Sequence, residues 1–515
     1  MAVLSRSAFA ACIALLALSG SAHAQKAKDT LRVAFDQQIR LIDAIHNPNP
    51  EANVVDRAVM STLVAFDPAT KTFRGQLAES WKRIDDKTLE FKLRQGVKFH
   101  DGSEFDADDV VYTFAYAMDP NVNFLFKDAR FGWIDKAIKV DKYTVRIISK
   151  QAQAIDLARL WGAPAIFPSD YHAKLEDKAS FGRAAIGTGP YKVVSFDPNK
   201  IVLEKSPYYD WGGYEPTGSI RRIELETIPD AQTRLAKVMV GELDLVFHIE
   251  YDQAKEAVAR NPNYKILTAP TVSFSYILFD TADRSGVKVF KDRRVREAML
   301  RAIDLQAMRK AFLPPEFAAK PPMDAMCHPA HLACTFSEKP VTYDPAKAKA
   351  LLAEAGLAQG FDLELLTWGQ TRPVAEAVAG DLRKIGVRAS VNAATINTFQ
   401  KTRGDGKAQT MVTNWDNAGG APDVDNTTTF FYIPSTRNYI EDAELAKWAN
   451  DGQSELDLEK RQEIYKTLFD KVTRERYAMP LVEQPAILIQ SKDLVLDSNH
   501  MKPEGFLFNR IAWTK

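Results

Sequence analysis

The segment 361–425 decides the fold, because strand and helix patterns alternate along it. It begins with the apolar run FDLELLTW (361–368) and continues with RPVAEAVAGDLRKIG (372–386), whose apolar residues recur every three or four positions. VRASVNAA (387–394) and MVTNW (411–415) show strand patterns again. This order of elements predicts a parallel unit of an α/β sheet.

Four side chains fall where the strands of this unit end. Ligands of such units bind beyond the carboxyl ends of the strands, beside helix N-termini, because loops converge there and free N–H groups point outward. Trp368 and Trp415 provide aromatic rings, Arg372 provides a guanidinium group with several hydrogen-bond donors, and Asp416 provides a carboxylate. None of them is poised as a nucleophile, so we interpret them as a recognition set. The alternatives are a surface ion pair for Arg372 and a core ring for Trp415.

Two further stretches bear on this site. The polar residues between the last two strands, with Gly404 and Gly406, indicate a polar connection. The apolar run 272–279 contains Tyr276. We interpret Tyr276 either as filler of a sheet or core, or as a residue that lines the pocket.

The first residues have the pattern of a signal peptide. Arg6 provides the positive end, residues 8–18 the apolar centre, and Ala22-His23-Ala24 a small-x-small cleavage site, so we expect the mature chain to begin at Gln25. Cys12 lies inside the apolar run, which favours plain cleavage over lipidation. The run is shorter than the roughly 20 residues that a bilayer span needs. We therefore predict a soluble, exported product.

Length and charge limit the remaining possibilities. About 490 residues follow the cleavage site, which predicts about three domains. Lysine plus arginine and aspartate plus glutamate number 67 each. The chain therefore has no net charge that would attract nucleic acid or an anionic membrane, and local features must select its partners.

Two cysteines remain after cleavage, in CHPAHLAC (327–334). In an exported protein they predict a local disulfide between Cys327 and Cys334 that stiffens a proline-rich segment. The alternative is a zinc site in which both thiolates and the imidazoles of His328 and His331 surround the metal.

The rest of the chain predicts an α/β protein with antiparallel parts. Alternating residues in 87–93, 137–148 and 191–205 indicate hairpin structure, and 222–247 has a strand–helix–strand pattern that predicts a parallel pair. Asp106 and Asp109 can cap a following helix. We interpret His100 as a hydrogen-bonded structural residue, and the glycines of Gly187-Thr188-Gly189 as required by backbone geometry.

Three common motifs of enzyme chemistry are missing. The sequence has no His-Glu-x-x-His, no Gly-x-Ser-x-Gly and no Gly-x-x-x-x-Gly-Lys. Binding is therefore the better supported function, and we predict neither an enzyme nor a cofactor.

Six motifs in one order resemble the family 5 extracytoplasmic solute-binding proteins, the peptide, dipeptide and nickel receptors of ABC importers. The motifs are QLAESW (76–81), LEFKLRQGVKFHDG (89–102), DDVVY (108–112), GTGPY (187–191), DRRVREAMLRAI (292–303) and YDP (343–345). The resemblance covers essentially the whole mature chain. It implies an α/β, two-lobed periplasmic binding protein fold, class II-like, with an extra subdomain on the first lobe and a hinged cleft.

This resemblance also implies boundaries. We expect a signal peptide at 1–24, lobe 1 at 25–270 with a subdomain inserted around 61–185, lobe 2 at 271–488, and a return to lobe 1 at 489–515.

The resemblance assigns roles within the central segment. An arginine before a proline binds the peptide carboxylate in dipeptide receptors, and Arg372-Pro373 matches that place. Trp415 matches a tryptophan that precedes an ammonium-binding aspartate by three positions, but Ala418 stands at the aspartate's place. Asp416 or Asp423 are the possible substitutes. This departure disfavours a plain dipeptide and leaves other peptides, opine-like conjugates and organic acids open.

Three functions follow from these observations. The first is a monomeric periplasmic receptor that closes on a carboxylate-bearing solute, with Tyr276 contributed by the facing lobe, and docks on a permease driven by an ATPase. The second is an exported zinc-dependent enzyme that uses the cysteine and histidine loop. The third is a receptor for a metal complex.

Overall fold

The computed structural model describes residues 29–47, 50–122, 124, 127–162, 164–416, 421–496 and 506–514. Within these ranges, none of the helices has both the length and the apolar character needed to cross a membrane. The predicted signal peptide and Ala418 lie outside the described residues.

The helices and strands follow one another along the whole described chain. The α-helices are α1 (Pro50–Val59), α2 (Ala107–Met118), α3 (Lys127–Phe131), α4 (Asp156–Gly162), α5 (Ser169–His172), α6 (Ala231–Met239), α7 (Tyr251–Arg260), α8 (Arg293–Ala302), α9 (Leu305–Phe312), α10 (Pro315–Ala318), α11 (Pro345–Glu354), α12 (Arg372–Arg383), α13 (Ile396–Gly404), α14 (Asp425–Tyr432), α15 (Ala443–Ser454) and α16 (Leu458–Glu475). The strands are β1 (Thr30–Phe35), β2 (Val64–Asp67), β3 (Thr72–Gly75), β4 (Ala78–Asp85), β5 (Thr88–Leu93), β6 (Ile134–Asp141), β7 (Thr144–Ser149), β8 (Tyr191–Asp197), β9 (Lys200–Lys205), β10 (Arg222–Thr227), β11 (Leu245–Val246), β12 (Tyr264–Ala269), β13 (Phe274–Phe279), β14 (Asp362–Trp368), β15 (Arg388–Ala394), β16 (Thr410–Trp415), β17 (Ala478–Glu483), β18 (Ala486–Ser491), β19 (Leu494–Leu496) and β20 (Ile511–Trp513). Short 3₁₀ turns cover Lys178–Arg183, Lys288–Lys291, Gly369–Thr371 and Phe508–Arg510.

A seven-stranded sheet forms the centre of lobe 1, in the order β12-β18-β11-β1-β10-β9-β8. β1 pairs in parallel with β10 on one side and with β11 on the other. The strand–helix–strand pattern at 222–247 therefore does give two parallel strands, but β1 lies between them. β8 and β9 form the hairpin that the alternating residues predicted.

The second sheet, in lobe 2, has the order β15-β14-β16-β13-β17. β14 pairs in parallel with β15 and with β16, so the predicted unit is confirmed. Helix α12 follows β14 and packs its apolar side, including Val378 and Leu382, against this sheet. Packing on both faces of the sheet buries most residues of β14 and β16, although both strands also contain polar side chains.

The polar connection after β15 contains a helix that was not predicted from the sequence, since residues 396–404 form α13. The Thr395 side chain caps this helix by accepting a hydrogen bond from the Thr398 amide. Only Phe399 and Arg403 of the helix are buried. The sequence lacks the apolar stripe by which a helix is usually recognised, since most of the helix surface meets solvent.

The inserted part of lobe 1 contains a four-stranded antiparallel sheet, β4-β5-β7-β6. Helix α2 beside it begins with the predicted capping box between Asp106 and Asp109. His100 contacts the Gly189 carbonyl oxygen through Nε2 at 2.9 Å, and its Nδ1 accepts from the Gly187 amide at 3.3 Å. The structural role predicted for His100 is confirmed, and burial lowers the pKa of its imidazole to about 4.

The glycine motif packs too closely on helix α1 for any side chain. A Cβ at Gly187 would lie 2.0 Å from the Val59 carbonyl oxygen, and one at Gly189 would lie 2.5 Å from the Val59 carbonyl carbon. Backbone geometry therefore requires both glycines, as the sequence predicted.

Two short segments connect the lobes. The chain leaves lobe 1 after Ala269, the last residue of β12, and enters the lobe 2 sheet at Phe274; it returns between Glu483 and Ala486. The segments are joined by hydrogen bonds from the Gln484 amide to the Ser273 carbonyl at 2.9 Å and from the Thr271 hydroxyl to the Gln484 carbonyl at 2.6 Å. β18 pairs with β12 from Ala486 onward, three residues before the return to lobe 1 expected at 489.

The lobes also touch away from these segments. Arg159 of helix α4 in lobe 1 forms an ion pair with Asp425 of helix α14 in lobe 2, with Nη2 and Oδ2 3.2 Å apart. Beside the pair, the Ala154 amide donates to the Gln453 carbonyl at 3.0 Å. Ile155, Ala158 and Ala421 form a small apolar cluster there. A polar and an apolar contact thus join the lobes at the same place.

Candidate functional site

The strand directions place the carboxyl edges of both sheets on the side where the chain crosses between lobes. In lobe 1, β12 and β11 are both antiparallel to β18 and therefore run in the same direction, and β12 ends at the crossing. In lobe 2, β16 is antiparallel to β13, so that its last residue, Trp415, pairs with Phe274 at the crossing. Loops from both edges therefore converge on one cleft.

The two tryptophans at the lobe 2 edge differ in exposure. Trp368 is half-buried, and its indole N–H donates to the Asn414 side chain at 3.1 Å. Trp415 is only 3% exposed, and its ring lies 4.6 Å from the ring of Phe430 and 5.4 Å from that of Phe431. Trp415 therefore belongs to the core beneath the edge, whereas part of the Trp368 ring faces outward.

Arg372 begins helix α12, directly after the turn that follows β14. Its side chain is 61% exposed, and its Nε donates to Glu376 one helical turn away at 2.7 Å. An exposed pair of this kind contributes only about 0.3–0.5 kcal/mol. A ligand carboxylate can therefore replace Glu376 at little cost.

Asp416 and Tyr276 lie near each other in lobe 2. The Asp416 side chain reaches solvent, yet the surrounding protein desolvates it enough to raise the pKa of its carboxyl, as expected for a group within a recess. Tyr276 is fully buried, and burial raises the pKa of its hydroxyl. The prediction that Tyr276 comes from the facing lobe is wrong, because β13 is a strand of the same sheet as β16.

Asp423 is held in a buried ion pair. Arg461 donates to both of its carboxylate oxygens, at 2.5 and 2.7 Å. The pair anchors the loop before helix α14 to helix α16, so the Asp423 carboxylate is already satisfied by the protein.

The cysteine loop contains the predicted disulfide. Cys327 and Cys334 are joined, so their sulfur atoms cannot act as thiolate ligands of zinc, and the proposed four-ligand site does not form. Burial lowers the pKa of His328 to about 4 and that of His331 to about 3, so both imidazoles are neutral at physiological pH. The loop contacts lobe 1, where the Lys71 ammonium donates to the Pro329 carbonyl at 3.0 Å.

The structure adds a buried arginine that the sequence interpretation missed. Arg403 of helix α13 lies close enough to Tyr276 to interact with it electrostatically, and its guanidinium is 5.1 Å from the Phe430 ring. Burial lowers the pKa of Arg403, and no carboxylate pairs with it in the described part of the chain. Arg403 was not singled out from the sequence, since the stretch around it was interpreted only as a polar connection.

Lobe 1 contributes a second set of polar residues at its own carboxyl edge. Asp36 follows β1, His248 follows β11, and Glu51 lies in the first turn of helix α1. Their carboxylate and imidazole groups are within 4.8 Å of one another. The spacing of 212 residues between Asp36 and His248 hides this cluster from any local motif search.

Comparisons with known proteins agree with this architecture. Residues 72–438 match the model of the bacterial extracellular solute-binding proteins, family 5. Heme-binding protein A of Haemophilus influenzae is 30% identical over 406 residues, 72% of this chain and 71% of that protein. The glutathione-binding protein GsiB of Escherichia coli is 27% identical over 486 residues, 91% of each chain. The periplasmic binding protein DppA of Helicobacter pylori, in complex with the peptide STSA, superposes with a TM-score of 0.77 at 23% identity, over 94% of this chain and 98% of that one.

The chain therefore belongs to the family 5 bacterial extracellular solute-binding proteins. Its fold is the two-lobed periplasmic binding protein fold that the sequence predicted, and its function is that of a substrate-binding component of an ABC importer. Family and fold are those of receptors rather than of enzymes.

Proposed function

We propose that this receptor captures a small, carboxylate-bearing organic solute, such as a peptide or a related conjugate, between its lobes. The observation that carries the proposal is the convergence of both carboxyl edges on one cleft, with an exposed, weakly paired arginine at the lobe 2 edge. The relatives named for glutathione and for a peptide complex support the same class of solute.

Each predicted site residue has a distinct proposed role. Arg372 binds the solute carboxylate, Trp368 provides a wall for its apolar part, and Asp416 accepts a hydrogen bond from a donor group. The enclosed Trp415 and Tyr276 shape the floor beneath them. Asp423 acts indirectly, since its pairing with Arg461 positions the loop that borders the cleft.

The first experiment identifies a solute. A thermal-shift screen of the purified protein would include glutathione, the tetrapeptide Ser-Thr-Ser-Ala, hemin and a set of opine-like conjugates. A solute that binds only the folded form stabilises it by RT ln(1 + [L]/Kd), so binders raise the melting temperature.

The second experiment tests Arg372 by calorimetry with the best binder of the screen. A shielded arginine–carboxylate contact contributes roughly 1.5–3 kcal/mol, so Arg372→Ala should weaken binding about 10- to 150-fold. Arg388→Ala is the matched control, because Arg388 is also exposed and paired with a carboxylate, but lies at the opposite end of the same sheet. Equal affinity of wild type and Arg372→Ala would remove Arg372 from the site.

Export and delivery complete the proposal. We propose that cleavage before Gln25 releases the mature protein into the periplasm, and that the closed, loaded form docks on a membrane permease coupled to an ATPase. The intact mass of protein recovered from a periplasmic fraction tests the cleavage site, and a mass that retains residues 1–24 contradicts it.

A further inference from the structure

We propose that Asp36, Glu51 and His248 form a binding site for a divalent transition metal ion at the lobe 1 edge of the cleft. The proposal deepens the binding role described above, because the metal would face the space in which the solute binds. The site itself is complete within lobe 1 and can be tested without any solute.

The topology of lobe 1 brings these residues together. β1 and β11 are adjacent parallel strands, and Asp36 and His248 follow their carboxyl ends. Helix α1 places Glu51 beside them in its first turn. Three separate segments thus supply one ligand group each, which fixes their positions better than three residues on one loop would.

The distances suit a metal with modest adjustment. His248 Nδ1 lies 2.6 Å from Asp36 Oδ1 and 3.6 Å from Glu51 Oε1. Ligand atoms bound tetrahedrally to a zinc-like ion at about 2.1 Å lie about 3.4 Å apart. An ion would therefore lengthen the first separation and leave the second almost unchanged, which side-chain rotation can provide.

The ligand types also fit. Imidazole nitrogen and carboxylate oxygen are both ligand atoms of zinc, and imidazole suits nickel and copper as well. Half of the His248 side chain, 53%, is exposed, while Glu51 is buried. One side of the cluster is therefore open to solvent at the carboxyl edge of the lobe 1 sheet, where a donor atom of the solute could complete the coordination of a bound ion.

The backbone at His248 is built to hold the imidazole there. His248 adopts a left-handed conformation with φ of 53°, which is uncommon outside glycine. The guanidinium of Arg234, only 2% exposed, fixes this conformation by donating to the His248 carbonyl at 2.9 Å and to the Ile228 carbonyl at 2.5 Å. A buried arginine is thus used to orient a histidine that is itself half in solvent.

The charges around the site limit its affinity. Two carboxylates attract a dication, but the Arg234 guanidinium is close enough to interact with His248 and Asp36 and opposes it. The arginine therefore offsets part of the attraction that the two carboxylates exert on a metal ion.

The test is calorimetric titration of the metal-free mature protein with zinc chloride and, separately, with nickel chloride. We expect saturable binding of one ion per chain by wild type, and a loss of at least about tenfold in affinity in His248→Ala and in Glu51→Gln. His328→Ala is the control, since it removes another histidine that is also near the lobe interface. Circular dichroism and the melting temperature establish that each variant is folded.

Cobalt provides a second measurement that reports on coordination rather than on folding. Cobalt bound in a low-coordinate protein site with an imidazole ligand absorbs visible light, and this absorption should appear in wild type and His328→Ala but not in His248→Ala. No saturable uptake by wild type, or uptake that persists in His248→Ala, would overturn the proposal. Loss of uptake in His328→Ala alone would also overturn it, because the metal would then bind in the disulfide loop.

The outcomes separate this inference from the proposed function. If the protein binds a solute but no metal, only the metal site fails. If the metal binds and no carboxylate-bearing solute does, the proposed solute class fails while the metal site stands.

Discussion

Replacing Arg159 by methionine is expected to shift the receptor toward an open arrangement of its lobes. Arg159 and Asp425 form an ion pair between lobe 1 and lobe 2, and their side chains are 14% and 0% exposed. Methionine keeps most of the length and the apolar contacts of arginine but cannot neutralise Asp425. In the closed arrangement Asp425 would be a buried, poorly compensated carboxylate, whereas in an open one water can reach it.

The magnitude follows from the partners that remain. Asp425 also accepts hydrogen bonds from Tyr465 at 3.3 Å and from Gln453 at 3.4 Å, so it does not lose every contact. We therefore expect the cost of one charged hydrogen bond, about 1.5–3 kcal/mol, rather than the larger cost of an isolated buried charge. This energy corresponds to a change of about 10- to 150-fold in the ratio of closed to open molecules, and the apparent solute affinity should fall by up to the same factor.

Small-angle scattering measures the effect directly, since opening increases the radius of gyration. Arg83→Met is the control, because the Arg83–Asp156 pair has a nitrogen–oxygen distance of 2.6 Å but lies entirely within lobe 1. The double variant Arg159→Met/Asp425→Asn should recover part of the closed form, because it leaves no unpaired charge. Identical scattering of wild type and Arg159→Met, with unchanged solute affinity, would refute the assignment of this pair as an interlobe contact that stabilises closure.

Three further predictions concern stability. Burial and, to a smaller extent, the nearby charge of Asp43 raise the pKa of Asp56 to about 7 from 3.8, so the folded state holds a proton that the unfolded state releases. The free energy of unfolding should therefore fall by at most about 4 kcal/mol as the pH rises from about 4 to 7. Asp56→Asn should remove most of this pH dependence, which melting curves at several pH values measure. Replacing Cys327 and Cys334 together by alanine opens a short loop and should lower the free energy of unfolding by about 2–3 kcal/mol in denaturant titrations. An unchanged free energy of unfolding would contradict the disulfide. Gly189→Ala should destabilise the protein by more than about 1 kcal/mol, because the new Cβ would collide with the Val59 backbone. Gly404→Ala is the control and should be neutral or stabilising, because the space around its Cβ is open. Equal melting temperatures of the two variants would contradict the packing described.

The local elements of lobe 2 could be predicted because their physical signals are local. The apolar run of β14, the helical spacing of α12 and Pro373 near the helix start are all contained within about 20 residues. Helix α13 could not be predicted in this way, because only Phe399 and Arg403 of this helix are buried and it has no continuous apolar face. Its cap at Thr395 was a signal, but a single threonine occurs too often to decide.

The candidate site could be predicted only as far as strand ends are visible in a sequence. Arg372 and Trp368 lie at the edge where their strand pattern placed them. Trp415 is buried because Phe430 and Phe431 of helix α14 pack against its ring. Asp423 is not available to a ligand because it pairs with Arg461, 38 residues away. Such partners are set by tertiary packing, for which one sequence contains no direct signal.

The strand order of lobe 1 has a consequence for biosynthesis. β18 separates β12 from β11, and in the described structure β12 has no other sheet neighbour. A chain emerging from the ribosome cannot complete this sheet until residues 486–491 have been made, whereas the strands of lobe 2 all come from one uninterrupted stretch, 274–483. The lobe 1 sheet therefore stays incomplete while lobe 2 is translated, although most of its strands are synthesised first.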